Sequence, residues 1–171
     1  MSSEPAKPKI VVIDDDDAFL RLMEDLLGSE GYDVRTRQAW LQAYEFVKAE
    51  RPDLVILDVV LGGEDRGWSV LDLLLLDPET RPVPVIICSA SLAALRERAE
   101  ILQRHGILAL AKPFDLDDLL NAIELAFAGR PERPGRRGTP DGCPGASPTN
   151  DGQLEDGRPD GAKLQTRAAD G

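Results

Sequence analysis

The chain has 171 residues, with 31 acidic and 20 basic side chains, a formal net charge of −11, 42% hydrophobic residues, one histidine and two cysteines. That length predicts about one domain with enough apolar material for a core, and the acidity argues against nucleic-acid phosphates and anionic lipid while favouring cations and basic partner surfaces. Cys88 in an apolar run and Cys143 in a polar one exclude a disulfide framework, and with no signal-peptide pattern and no apolar stretch near the ~18 residues that span a bilayer the chain is expected to be cytoplasmic and without a membrane partner.

Residues 1–8 are short and polar and are expected to fray. Residues 9–13 (KIVVI) form a continuous apolar run that stops at four aspartates, the pattern of a strand buried on both faces of a parallel sheet. Ala18, Phe19, Leu22, Met23 and Leu26 then recur at helical spacing up to Gly28 or Gly31. Residues 32–36 read as a short strand and 39–50 as a helix closed by Pro52. The next buried strand, 54–57, ends on Asp58, and a Gly-containing loop leads to a helix over 68–76. Residues 83–88 (VPVIIC) are a further strand, followed by a polar-faced helix over 91–104, a strand over 107–111 and a last helix over 115–128 with Asp115 as its N-cap. Residues 129–171 carry nine glycines, six prolines and no aromatic residue, a composition that predicts a disordered tail. All the excess negative charge precedes it: residues 1–128 hold 24 acidic and 13 basic side chains, the tail seven of each.

Five strands alternating with five helices predict an α/β fold with a doubly wound parallel sheet, since parallel neighbours require crossover helices. Ligands of such sheets bind beyond the carboxyl ends of the strands. There this sequence places Asp14 and Asp15 after the first strand, Asp58 on the third, Ser89 on the fourth and Lys112 on the fifth. Three carboxylates, a hydroxyl and an ammonium suit a hard cation such as Mg²⁺ together with a phosphate, and the absence of a His or Cys cluster speaks against zinc. A carboxylate can attack phosphorus to give an acyl phosphate; Asp58 is the candidate, with Lys112 and Ser89 placed to hold the remaining oxygens.

KIVVIDDD at 9–16, PDLVILD at 52–58, VIICSA at 85–90 and AKPF at 111–114 together resemble the receiver domains of two-component response regulators (CheY-like), over about residues 9–128. The resemblance implies a flavodoxin-like (βα)5 fold with strand order 2-1-3-4-5. It also implies a phosphorylatable switch that takes a phosphoryl group from a sensor histidine kinase or phosphotransfer protein, with self-catalysed phosphorylation and dephosphorylation. Residue by residue it makes Asp58 the phosphoacceptor, Asp15, Asp58 and the Val60 carbonyl direct Mg²⁺ ligands, Asp14 a ligand through water, Ser89 the switch hydroxyl and Lys112 the phosphate partner. A cis Lys112–Pro113 bond is part of the same likeness. Phosphorylation is then expected to draw Ser89 inward and shift the surface of the fourth helix, fifth strand and fifth helix.

Three departures stand out: Ala109 replaces the usual switch aromatic, Gly62 stands where proline is common in a loop one residue longer before Gly67, and no output domain follows. The chain therefore reads as a stand-alone regulator that signals to an unidentified downstream protein, with a phosphorylation-linked homodimer as a further expectation. A small haloacid-dehalogenase-like phosphohydrolase with Asp14 as nucleophile, suggested by VVIDDDDA at 11–18, and a phosphorylation-independent interaction module are the alternatives. Asp16 and Asp17 read as helix-entry charges, Cys88 as a core residue, Trp40 and Trp68 as packing or surface aromatics, His105 as without an assigned function, and the Arg136–Arg137 pair as too short for a nucleic-acid patch.

Overall fold

A computed structural model of the chain describes residues 6–60 and 63–129. The expected tail from residue 130 onward, with Cys143 and the Arg136–Arg137 pair, and Gly62 in the loop after Asp58 lie outside these residues. Along the described chain run β1 (Lys9–Ile13), α1 (Asp17–Ser29), β2 (Asp33–Arg37), α2 (Ala43–Glu50), β3 (Leu54–Asp58), α3 (Arg66–Leu76), β4 (Val85–Ser89), α4 (Leu92–Glu97), α5 (Ala99–Arg104), β5 (Leu108–Ala111) and α6 (Leu116–Ala128). The strands pair in parallel in the order β2-β1-β3-β4-β5, the order that the receiver resemblance implies.

The two-residue period of a strand decides which helix layer each side chain serves. Odd-numbered Val11, Ile13, Val55, Leu57, Val85 and Ile87 pack with Ala43 and Val47 of α2, Val70, Leu71 and Leu74 of α3, and Ala94 and Leu102 of α4 and α5. Even-numbered Ile10, Val12, Leu54, Ile56, Ile86 and Cys88 pack with Leu20, Met23 and Leu27 of α1 and Leu119, Ala122 and Ile123 of α6. This double burial explains why β1, β3 and β4 read as unbroken apolar runs. Each fully buried Val, Ile or Leu contributes about 1.5–3 kcal/mol relative to an exposed one. The β2 edge instead carries Asp33, Arg35 and Arg37, charges that discourage a further strand from pairing there.

Several boundaries differ from the sequence reading, each for a local reason. The second helix starts at Ala43 rather than residue 39, because Gln42 turns left-handed (φ 62°) and closes a turn in which the Ala43 N–H donates to the Trp40 carbonyl. Strand β4 starts at Val85 rather than 83, since Pro84 has no N–H to enter the ladder. Strand β5 begins at Leu108; Ile107 still donates to the Leu102 carbonyl across the left-handed Gly106 (φ 64°). The single helix expected over 91–104 is two, α4 and α5, with the chain turning at Arg98 (φ −105°, ψ 7°) as its guanidinium reaches 5.3 Å from the Trp68 ring centroid. The described residues therefore hold six helices rather than five. Asp115 occupies the N-cap position of α6 in an extended conformation, but its side chain makes no capping bond.

Candidate functional site

The carboxyl ends of β1, β3, β4 and β5 bring the sequence-selected residues together. Asp14 follows β1, 1% exposed, and its Oδ1 accepts the Asp16 N–H at 2.9 Å. Asp58 closes β3, 6% exposed, and its Oδ1 accepts the Val60 N–H at 2.8 Å, so the backbone folds around the carboxylate. Ser89 ends β4 fully buried; its Oγ accepts the Ser91 N–H at 3.1 Å, and its carbonyl accepts the Lys112 N–H at 2.8 Å. The Lys112 ammonium donates to Asp58 Oδ2 at 2.8 Å and to Asp14 Oδ2 as well, joining the first and third strands through the fifth. Asp15 is exposed beside them, and carboxylate oxygens of Asp14, Asp15 and Asp58 lie within 4.8 Å of one another. The Lys112–Pro113 peptide is cis.

Three carboxylates, two of them buried, gather around one ammonium, and a set of closely spaced carboxylate oxygens suits a divalent cation with oxygen ligands. Burial is the main reason the Asp14 carboxyl is held above the ordinary carboxylate range; the bonds from Lys112 and Asp16 oppose the rise, and repulsion from Asp58 adds least. Clustered carboxylates raise one another's proton affinity by repulsion, but at Asp14 desolvation contributes more to the rise than the neighbouring charge does. For Lys112, burial pulls the ammonium down, yet its hydrogen bonds to Asp14 and Asp58 and their charges together hold it above the usual lysine value.

Residues 10–124 match the family described as the response regulator receiver domain. The chain belongs to that family. It is 31% identical over 116 residues to sporulation initiation phosphotransferase F of Bacillus subtilis, covering 68% of this chain and 90% of that protein. It is 36% identical over 107 residues to the response regulator PleD of Caulobacter vibrioides, covering 63% of this chain but 23% of PleD. Among solved structures, the receiver domain of sensor histidine kinase PA1611 from Pseudomonas aeruginosa, which holds a magnesium ion in its active-site cleft, superposes with a TM-score of 0.60 at 26% identity, covering 72% of this chain and 99% of that one. Chemotaxis protein CheY4 of Vibrio cholerae shares the fold, with a TM-score of 0.61 at 21% identity over 70% of this chain and 98% of that one. Receivers bind Mg²⁺ in their acidic site and accept phosphate from histidine kinases or phosphotransfer proteins, and the role of phosphoryl-accepting switch is this chain's. No helix among the described residues is long and apolar enough to cross a membrane.

The receiver site also uses residues that the sequence reading left out. A Cβ on Gly67 would sit 2.2 Å from the Asp58 carbonyl oxygen and 2.4 Å from the Val59 Cα, so α3 can enter against the acceptor strand only as glycine. Ser91 donates to Ser89 through its N–H and caps α4 by accepting from Ala94 at 3.2 Å. Phe19, matched in the sequence only to helical spacing, packs against the core and also places its ring 4.1 Å from the Lys112 ammonium. Asp16 is the helix-entry residue expected, accepting from Ala18 and Phe19, and Asp17 pairs with Arg21 at 2.8 Å. Ala109 is exposed on β5, so no ring stands at the usual switch position. Cys88 is a buried free thiol, pushed up to about 12 mainly by that burial.

Proposed function

We propose that this receiver, residues 9–128, accepts a phosphoryl group on Asp58 from a phosphohistidine of a sensor histidine kinase or phosphotransfer protein in the cytoplasm, and signals through protein contacts. The observation that supports it is the Lys112 ammonium joined to both Asp14 and Asp58 within a cluster whose three carboxylates lie inside 4.8 Å. In the transfer a carboxylate oxygen of Asp58 bonds to phosphorus while the bond from phosphorus to the donor imidazole nitrogen breaks and its electron pair stays with the imidazole. Lys112, already on Asp58, is placed to take a phosphoryl oxygen as charge moves outward from the carboxylate.

Asp15, Asp58 and the Val60 carbonyl are the proposed direct Mg²⁺ ligands, with Asp14 acting through water. Bound Mg²⁺ supplies charge neutralisation between these carboxylates and an incoming phosphate. Ser89 is the proposed switch: to reach the phosphoryl group its Oγ leaves the Ser91 N–H, loosening the start of α4. The surface of α4, α5, β5 and α6 would carry that change to the downstream partner or a second copy. The phosphohydrolase alternative, with Asp14 as nucleophile, gains no support from the family match, and it would leave Asp58 without a role.

The test is labelling by acetyl phosphate with Mg²⁺. The parent chain should acquire acid- and base-labile phosphate that hydroxylamine removes, as an acyl phosphate does, and Asp58→Asn should abolish it; label retained in that variant on Asp14 or Asp15 would reject Asp58 as the acceptor.

A further inference from the structure

We infer that Phe19 is a positioning residue for Lys112, its ring face holding the ammonium at the acceptor carboxylate; the inference rests on the reading of Asp58 as phosphoacceptor. The Lys112 Nζ lies 4.1 Å from the Phe19 ring centroid, well inside the ~6 Å reach of a cation–π contact. The ring is itself fixed. It meets Phe114 edge to face, with centroids 6.1 Å apart and planes at 85°, and Phe114 lies two residues beyond Lys112 on the same loop. Its backbone is set by the Asp16 cap, whose carboxylate accepts the Phe19 N–H at 3.2 Å.

Core packing alone does not account for this residue. Helix α1 drives Leu20, Met23 and Leu27 fully into the core, whereas Phe19 packs against that core while only partly buried, so its ring keeps a face for another partner. Its ring is also the partner of Lys112 that does not change during the reaction. Asp14 and Asp58 are the lysine's ionic partners, and Asp58 loses its carboxylate charge when one of its oxygens becomes the bridging oxygen of an acyl phosphate. An ammonium on a flexible four-carbon stem follows charge wherever it goes. The quadrupole of a phenyl ring stays constant through the step and offers no lone pair to compete with the phosphoryl oxygens. Phe19 thus keeps Lys112 in place while its hydrogen-bond acceptors are exchanged.

The experiment replaces Phe19 in the full chain by mono-, di- and trifluorinated phenylalanine, which weakens the ring quadrupole at nearly constant shape. Three quantities are read: the initial rate of Asp58 labelling by acetyl phosphate with Mg²⁺, the thermal midpoint, and the proton shifts of the Lys112 ε-methylene. The expected result is a stepwise fall in rate, to roughly three- to tenfold below the parent for the most fluorinated ring, at an unchanged midpoint. Ring current should hold the Lys112 ε-methylene upfield in the parent. Phe19→Leu should lose both that shift and the rate, and Phe19→Trp should keep both. Equal rates across the fluorinated series, or a Phe19→Leu variant as fast as the parent, overturn the inference. A parent spectrum without the upfield shift overturns it independently of any labelling. If the shift is present but Asp58 takes no label, the acceptor reading fails and the positioning role falls with it.

Discussion

Two lysine–carboxylate clusters in this receiver use similar groups to opposite ends. Lys112 sits largely buried with Asp14 and Asp58, and carboxylates outnumber cations there. Lys48 sits at the surface with Asp77 at 2.9 Å and Glu79 at 3.4 Å, and the Tyr44 hydroxyl donates to Asp77 at 2.6 Å, tying α2 to the end of α3. Burial holds the Asp14 carboxyl above its ordinary range, whereas the hydrogen bonds from Tyr44 and Lys48 take Asp77 down to about 2. One cluster gathers three carboxylates about a single ammonium, at a site suited to a cation and a phosphate. The other has satisfied its charge from within the chain and is a clasp.

The largest effect that should separate them comes from Lys112→Met. Removing the ammonium strands Asp14 and Asp58 as buried charges, with an expected loss of about 3 kcal/mol, the low end for a broken buried pair because Lys112 is partly exposed. Urea denaturation with and without Mg²⁺ checks this: the cation should restore much of the loss, since a ligand at a hundred times its dissociation constant stabilises by about 2.7 kcal/mol. Lys48→Met should show a smaller loss, and Mg²⁺ should stabilise it by the same amount as the parent, whose cation site is equally intact; a Lys112→Met variant that gains no more from Mg²⁺ than the parent does would dissolve the distinction.

Gly67→Ala sharpens the same contrast from the backbone side. With a Cβ 2.2 Å from the Asp58 carbonyl oxygen, the acceptor strand or α3 must shift, at about 1–3 kcal/mol of overpacking. The labelling rate should fall further than the stability does, and a variant that labels at the parental rate would show that the acceptor carboxylate is not held by this contact.

The smallest effect belongs to the clasp. Asp77 is depressed from an ordinary 3.8 to about 2, so its contribution is fully present above about pH 4 and is lost as the pH falls toward 2. The stability difference between the parent and Asp77→Asn should therefore shrink over that interval and be flat above it, as followed by urea midpoints at successive pH values. Salt should weaken it too, because Lys48 and Glu79 are exposed.

The sheet was legible because β1, β3 and β4 are buried on both faces and so cannot be mistaken for amphipathic segments. Asp14, Asp15, Asp58, Ser89 and Lys112 were legible because strand ends in a parallel sheet converge whatever the loops between them do. What local pattern could not carry was tertiary. Nothing in the residues around Gln42 announces a left-handed turn, and the break at Arg98 accompanies a contact with Trp68 thirty positions earlier in the chain. Phe19 matches helical spacing, and its spacing says nothing of a lysine brought over it from the other end of the domain. Gly67 looked like loop punctuation until the Asp58 backbone stood against it.

The odd-and-even division of the sheet constrains how this domain can change over generations. Removing one codon within residues 54–57 would exchange the side chains that β3 sends to its two helix layers and pull Asp58 back from the sheet edge. Such a lesion cannot yield a well-packed protein with its aspartate merely displaced, because the errors in packing and in chemistry arrive together. Insertions and deletions are thereby filtered toward the connecting loops, where the length of the segment between Asp58 and Gly67 is free to drift while the acceptor stays where the core puts it.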